Sequence, residues 1–186
     1  MNFIEGTGIR GELTLIVRNK YGKIKKIWNE NSFGKMLRKK FGLVLKVPFL
    51  FGYFADRMVI RNILTNAGFK AMALRCNATG TAFTFLAVGI GTTAAAATDT
   101  GLGSEITASG LERTAAACTQ ETTTVAGDTA KLDKTWTVPG TYAVTEAGAF
   151  NAATAGDMLG RQVFTALNLV SGDSLQIKYS FKFASA

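Results

Sequence analysis

Over its last third the chain alternates apolar and polar side chains with a period of two. Leu175, Ile177, Tyr179, Phe181 and Phe183 interleave with Gln176, Lys178, Ser180 and Lys182. Successive Cβ atoms on a strand point to opposite faces, so this pattern predicts a strand with one face in a core and one in solvent. Turn residues at Asn151–Gly156 and at Ser171-Gly172-Asp173-Ser174 separate it from two earlier runs, 144–150 and 158–164. Together they predict an antiparallel meander. Upstream, Ile9 to Val17 predicts a first strand, Asn19–Gly22 a turn, and 23–28 its hairpin partner. Thr81 to Val88, Glu105 to Cys118 and Val125 to Val138 complete the expected strands.

One segment has the helical period. From Asp56, a candidate N-cap, to Arg75, the positions Met58, Val59, Ile63, Leu64, Phe69, Met72 and Ala73 fall at helical spacing. Gly68 weakens the middle of that pattern and predicts a break near 66–68. The fold expected is therefore mainly β, an antiparallel β-sandwich with one packed α-helix and an N-terminal hairpin or arm. Its sandwich is expected over 81–186, with 1–80 packed on it as hairpin, insertion and helix.

The stretch between hairpin and helix fits neither period. Lys35, Arg38, Lys39 and Lys40 form a short basic run, followed by the apolar stretch Phe41 to Phe54 with Phe49, Phe51, Tyr53 and Phe54 near its end. At fourteen residues, and carrying Lys46 and Pro48, it is too short to span a bilayer as a helix, which needs about 20 apolar residues. Two readings fit: a core strand pair broken at Pro48, or an exposed arm covered by a neighbouring protein. Extended backbone would put Phe49, Phe51 and Tyr53 on one face and Leu50 and Phe54 on the other.

Composition narrows the chemistry. The chain contains no histidine, which removes the commonest general base and metal ligand at neutral pH. Cys76 and Cys118 are isolated, without metal-site spacing, and are expected as buried free thiols. Gly89-Ile90-Gly91 follows a strand, but Ala94 stands where a dinucleotide-binding loop needs its third glycine, and no Gly-Lys-Ser/Thr follows. No two carboxylates form a tight pair. Glu146 alone stands inside a strand, where the expected role is a structural salt bridge with Arg113 or Arg161. Neither a catalytic residue, a metal nor a cofactor is expected. Residues 1–75 carry 15 Lys+Arg against 4 Asp+Glu and residues 76–186 carry 6 against 9, so the net +8 divides into +11 and −3. That asymmetry points to a partner on the basic side or to head-to-tail packing of copies. Met1–Glu5 show no basic region followed by an apolar one, so no secretory signal is expected.

An ordered set of motifs runs through the chain. It comprises Asn62 to Gly68, the strand end Val88 to Thr93 (Gly-x-Gly-Thr-Thr), and an Ala/Thr/Asp loop from Ala94 that reaches Leu102-x-x-Glu105. Arg113, Thr145 to Asn151 (Thr-Glu-Ala-Gly-x-Phe-Asn) and Gly172 to Leu175 follow. In this order they resemble small β-rich structural proteins of tailed bacteriophages, associated with head or tail. The resemblance covers most of the chain outside 30–57, which stands as an insertion. It implies a virion protein, assembled in the host cytoplasm, with no catalytic residue to carry over. The expected function is a minor capsid or decoration protein that docks on other virion proteins and itself oligomerises. A tail, baseplate or tail-fibre attachment protein is the alternative, and a nucleic-acid-binding protein the alternative of another class; no membrane partner is expected. Lys35, Arg38, Lys39, Lys40, Phe49, Phe51, Tyr53 and Phe54 are the candidate interface.

Overall fold

The computed structural model describes residues 8–41, 46–50, 52–76 and 79–184. Alternation sets the first sheet. In β12 (Ser174–Ala184), Leu175, Ile177, Tyr179 and Phe181 are buried while the polar residues between them are not. β1 (Gly8–Arg18) pairs with it along its whole length, placing Leu13 opposite Tyr179, Leu15 opposite Ile177 and Val17 opposite Leu175. All of these enter one core, and each such side chain taken fully from water contributes about 1.5–3 kcal/mol. β9 (Thr129–Thr137) adds Leu132 and Trp136. With β4 (Met58–Arg61) and β8 (Ala117–Glu121) at its edges, the antiparallel sheet runs β4-β1-β12-β9-β8.

The second sheet packs its Leu86, Val88, Val144, Ala147, Ala149, Phe164 and Leu167 into the same core. Its order is β5-β11-β10-β6-β7, from β5 (Ile63–Leu64), β11 (Met158–Leu169), β10 (Tyr142–Phe150), β6 (Phe85–Gly89) and β7 (Thr114–Ala115). At each side the chain switches sheets: β4 passes to β5 through Asn62, and β7 to β8 through Ala116. Such crossings tie the sheet edges together. The fold is an antiparallel β-sandwich, as the alternation predicts.

Strand β10 is buried at every position from Val144 to Phe150, so both of its faces are covered. Its second face carries a small core of Ala87, Phe150 and Met158 with Phe85 and Leu102 packed on it. The Ala/Thr/Asp loop, 90–104, therefore lies over this sheet as a lid.

Several expectations are corrected. The helix begins at Asn66, not Asp56: α2 is Asn66–Cys76. Met58 to Arg61 instead pairs with β1, because Met58 is taken into the shared core. The N-cap is Thr65, whose Oγ1 accepts the Gly68 N–H at 2.9 Å; Asp56 pairs with Lys26 at 2.6 Å. The break expected near 66–68 falls just before Asn66, where strand gives way to helix, and Gly68 inside α2 is a close contact, since a Cβ there would lie 2.5 Å from Leu159 O. A second helix, α1 (Ser32–Phe41), carries the basic run. The hairpin turn at Asn19–Gly22 exists, with Asn19 Oδ1 accepting the Tyr21 and Lys23 N–H groups at 3.0 Å and Gly22 at φ 77°. Its ladder ends after the Arg18–Ile24 bridge, because β4 takes that side of β1. The partner run continues as β2 (Ile27–Glu30), which pairs with β3 (Gly52–Ala55). From the first 80 residues, β1 and β4 are strands of the first sheet and β5 of the second. Finally, Cys76 and Cys118 are free but exposed, lying on the outer side of α2 and on the edge strand β8; desolvation raises the Cys118 thiol.

Candidate functional site

Two charged regions emerge. The first lies beneath the loop lid. Glu146 is fully buried on the central strand β10. Its Oε1 accepts N–H groups from Gly91 at 2.9 Å and Ser104 at 2.7 Å. Its Oε2 accepts from Gly103 at 3.0 Å and from Arg161 Nε at 2.8 Å, with Nη2 at 2.7 Å. Arg161, 2% exposed, donates onward to Asp99 Oδ2 at 2.7 Å and Thr93 O at 3.2 Å. Asp99 also accepts the Ala96 N–H at 2.9 Å. Burial pushes the Glu146 and Asp99 carboxyls up. For Glu146 the Ser104, Gly103 and Arg161 donors outweigh it, and for Asp99 the Ala96 and Arg161 donors do, so both end below the ordinary range. Burial likewise opposes the Arg161 charge, but the two carboxylates overcome it and raise its pKa.

This geometry explains Gly89-Ile90-Gly91. A Cβ on Gly89 or Gly91 would lie 2.5 or 2.4 Å from Glu146 Oε1. The glycines admit a carboxylate of the protein itself, not a phosphate. Arg113 does not join Glu146. Its Nε and Nη2 grip Glu105 at 2.9 and 2.6 Å, its Nη1 donates to Ala155 O at 2.7 Å, and its guanidinium stacks 3.5 Å from the Phe150 ring centroid. The reason is position: Arg113 lies beside Phe150 and the 151–156 turn, while Arg161, register partner of Gly148 and two positions from the Val163 that stands opposite Glu146, reaches Glu146 across the β10–β11 ladder. Asp99, Glu105, Arg113, Glu146, Phe150 and Arg161 thus hold loops to strands. Asp99 and its tie to Arg161 carried no periodic signal in the sequence.

The second region is the 31–57 elaboration beside β4 and β11. Asn31 Oδ1 caps α1 by accepting the Gly34 N–H at 2.8 Å, while its Nδ2 donates to Leu50 O at 2.9 Å and so anchors the following turn. Arg38 pairs with the buried Glu30 at 2.8 Å. Lys35, Lys39, Lys40 and Lys46 have no ion-pair partner among the described residues. Lys40 lies 5.4 Å over the Phe41 ring. Phe33, Met36 and Phe41 of α1 are exposed, as are Val47, Leu50, Tyr53 and Phe54. Phe54 also packs edge-on against the buried Trp28, ring centroids 5.1 Å apart.

Phe49 is 97% exposed and sits at φ 66°, in the left-handed region. Its N–H donates to Gly52 O at 2.8 Å, closing a tight turn. Phe49 is therefore not extended and the face expected to be shared with Tyr53 does not form; among the described residues near it 52–55 is strand, and Gly52 fits because Asn29 O lies 2.3 Å from where its Cβ would be. Phe51 lies outside the described residues.

Among the described residues no cluster of Cys, Asp and Glu could hold a metal ion, and no helix is long and apolar enough to cross a membrane. No protein-family model, curated protein or solved structure matches this chain.

Proposed function

We propose that this chain is a non-catalytic assembly module of a tailed-bacteriophage virion. In this reading it is a decoration or minor capsid protein docking on a neighbouring subunit through the 31–57 elaboration. Phe49 is the observation that carries the docking. A bulky side chain in the left-handed region costs about 1–2 kcal/mol, and one standing in water recovers none of that within its own chain. Strain of this kind collects where a protein meets a ligand or partner. Leu50, Tyr53 and Phe54 stand exposed close by in sequence, on the same turn and strand, as an aromatic anchor and its surround do at protein interfaces. The virion assignment rests on the motif order described above. The buried network supports a structural role, since both Glu146 oxygens are occupied by protein donors and none is left for a substrate.

The test is a double variant, Phe49→Ala with Tyr53→Ala, expressed during infection. Melting of the free protein should stay close to wild type. Occupancy in purified particles should fall tenfold or more, because truncating a central anchor typically costs about 2 kcal/mol. Wild-type occupancy of the variant would refute the docking surface. Absence of the wild-type chain from particles would refute the virion reading. Copy number by quantitative mass spectrometry separates the placements: hundreds per particle mean capsid, a single ring's worth means tail or neck.

A further inference from the structure

We infer that the exposed edge of β8 pairs with the same edge of a second copy of this chain, antiparallel, about a two-fold axis at Thr119. The inference goes beyond the docking surface at 31–57 and does not rest on it.

Register shows which peptide groups are free. Phe183 N–H donates to Asp128 O at 2.9 Å, so the even-numbered residues of β9 turn their peptide groups to β12. The odd ones, Thr129, Lys131 and Asp133, turn theirs to Glu121, Thr119 and Ala117 of β8. Between these, Cys118 and Gln120 point their N–H and C=O groups away from β9. On that same side the Ala116 N–H is taken by Thr84 O at 2.8 Å, and β8 begins just past it. Among the described residues no hydrogen bond meets the backbone of Cys118 or Gln120 there. The Cys118 side chain turns to the inner face with Leu132, where its Sγ lies 4.0 Å from Phe83 O. Ala117, Cys118, Thr119 and Gln120 are all exposed, so both faces of β8 reach solvent. The other sheet edges are short or flanked: β5 and β7 have two residues each, and β4 lies beside β2.

The edge is also held in shape. The Asp128 carboxylate accepts the Thr123, Thr124 and Val125 N–H groups of the β8–β9 turn at 2.8, 2.9 and 3.0 Å. Gln120 Nε2 donates to Gly127 O at 2.8 Å, tying the strand to that turn. A preformed edge loses little freedom when it pairs.

Sequence and symmetry name the occupant. Proteins guard exposed edges with lysine, proline or a bulge. From 114 to 130 there is no Lys, Arg or Pro, and the β8–β9 register is unbroken. Glu121 is neutralised within its own chain by Lys131. Two copies of net charge +8 repel on most approaches, but at this edge they meet without charge. With the axis at Thr119, Cys118 of each copy stands opposite Gln120 of the other. Each such pair exchanges both hydrogen bonds, so the free groups of the two edges close four bonds and none is left over. Thr119 then meets Thr119 of the other copy in the closely spaced pair between them, a favourable cross-strand contact. Such an isologous contact is complete at two copies.

The experiment is sedimentation velocity of the full chain over a range of concentration, which should show a reversible monomer–dimer equilibrium and nothing larger. Gln120→Pro deletes an N–H that its own chain does not use, at an edge position where proline is tolerated. It removes two of the four bonds, so the dimer Kd should rise about tenfold or more. Gln120→Ala loses the same side chain but keeps the N–H, and should associate like the wild type. If Gln120→Pro lowers the melting temperature, Thr119→Glu takes its place. Its carboxylate faces Lys131 within the chain but its own equivalent across the axis, so it must also weaken the dimer. Thr119→Cys, in a Cys76→Ser/Cys118→Ser background, should oxidise to a linked dimer, because the Cα atoms of a closely spaced pair are about 4.5 Å apart, within disulfide reach. A chain still monomeric at about 1 mM would overturn the inference. So would a folded Gln120→Pro or Thr119→Glu variant that dimerises like the wild type, growth beyond the dimer, or no cross-link through Cys at 119. Should the chain stay monomeric while the Phe49 variant still loses particle occupancy, the β8 edge is excluded and the assembly reading stands.

Discussion

The loop lid over β10 and the elaboration beside β11 are both rich in charge, and they treat it in opposite ways. Under the lid, Glu146, Arg161 and Asp99 form one connected set, and Arg113 with Glu105 forms another. In the elaboration, Lys35, Lys39 and Lys46 are exposed with no ion pair among the described residues, and Phe49 stands almost wholly in solvent. A charge removed from water must find partners or the fold loses stability, so the buried set is committed to architecture. An exposed lysine or phenylalanine has no such obligation. What the monomer does not use is available to a partner.

The comparison can be broken most forcefully at Glu146. Glu146→Ala leaves Arg161 buried beside Asp99 alone and strips acceptors from three backbone N–H groups, so stability should fall by about 3–5 kcal/mol. Urea denaturation measures this. Adding Arg161→Met should recover part of the loss; a loss below 1 kcal/mol in the single variant would mean that the network does not hold the lid.

Acid should attack the same region. The Glu146 and Asp99 carboxyls titrate below their ordinary range when folded, so as pH falls the unfolded chain binds protons first. Their contribution is complete above about pH 4, the range of an unfolded carboxylate, and is lost as pH falls through their folded values. Urea midpoints across this range should drop for the wild type and drop less for Glu146→Gln. Equal slopes would assign the acid sensitivity elsewhere. Asp128, whose carboxylate accepts the Val125, Thr123 and Thr124 N–H groups, is also held well below the ordinary range and adds to the wild-type slope in both proteins.

A smaller effect separates the glycines of the lid. Gly91→Ala places a methyl against Glu146 Oε1 and should cost about 1–3 kcal/mol. Gly101→Ala, on the same lid with nothing within 4 Å of its Cβ, should stay within about 0.5 kcal/mol of wild type. Parallel denaturation curves decide it; equal losses would mean that the lid is not seated on Glu146.

The least effect on stability belongs to the elaboration. Phe49→Ala should change the free protein's stability by no more than about 0.5 kcal/mol, and Phe49→Gly, which accepts φ 66° without strain, should be at least as stable. A loss of several kcal/mol in Phe49→Ala would make this side chain part of a core.

The outlines of β1 and β12 were legible because their alternation is local and repeats over several residues. The helix start was not. Met58, Val59 and Ile63 fit a helical spacing as well as a strand, and only the open edge of β1 decided for strand. The period of α1 was hidden by the basic run and by the apolar stretch that follows it. Glu146 stood out as a carboxylate within a strand, yet the choice between Arg113 and Arg161 depended on the β10–β11 register, which no local pattern carries.

By itself the sequence determined the class of fold, the absence of histidine chemistry, and the concentration of positive charge and aromatic rings in the first half. Period two, turn residues and composition are properties of neighbours along the chain. The tertiary structure alone decided which arginine neutralises Glu146, why Gly89 and Gly91 must be glycine, and which lysines stay without an ion pair among the described residues. Those depend on what the fold brings together from 15 residues apart, as with Glu146 and Arg161, to 68 apart, as with Arg161 and Thr93, where distance in sequence says nothing about distance in space.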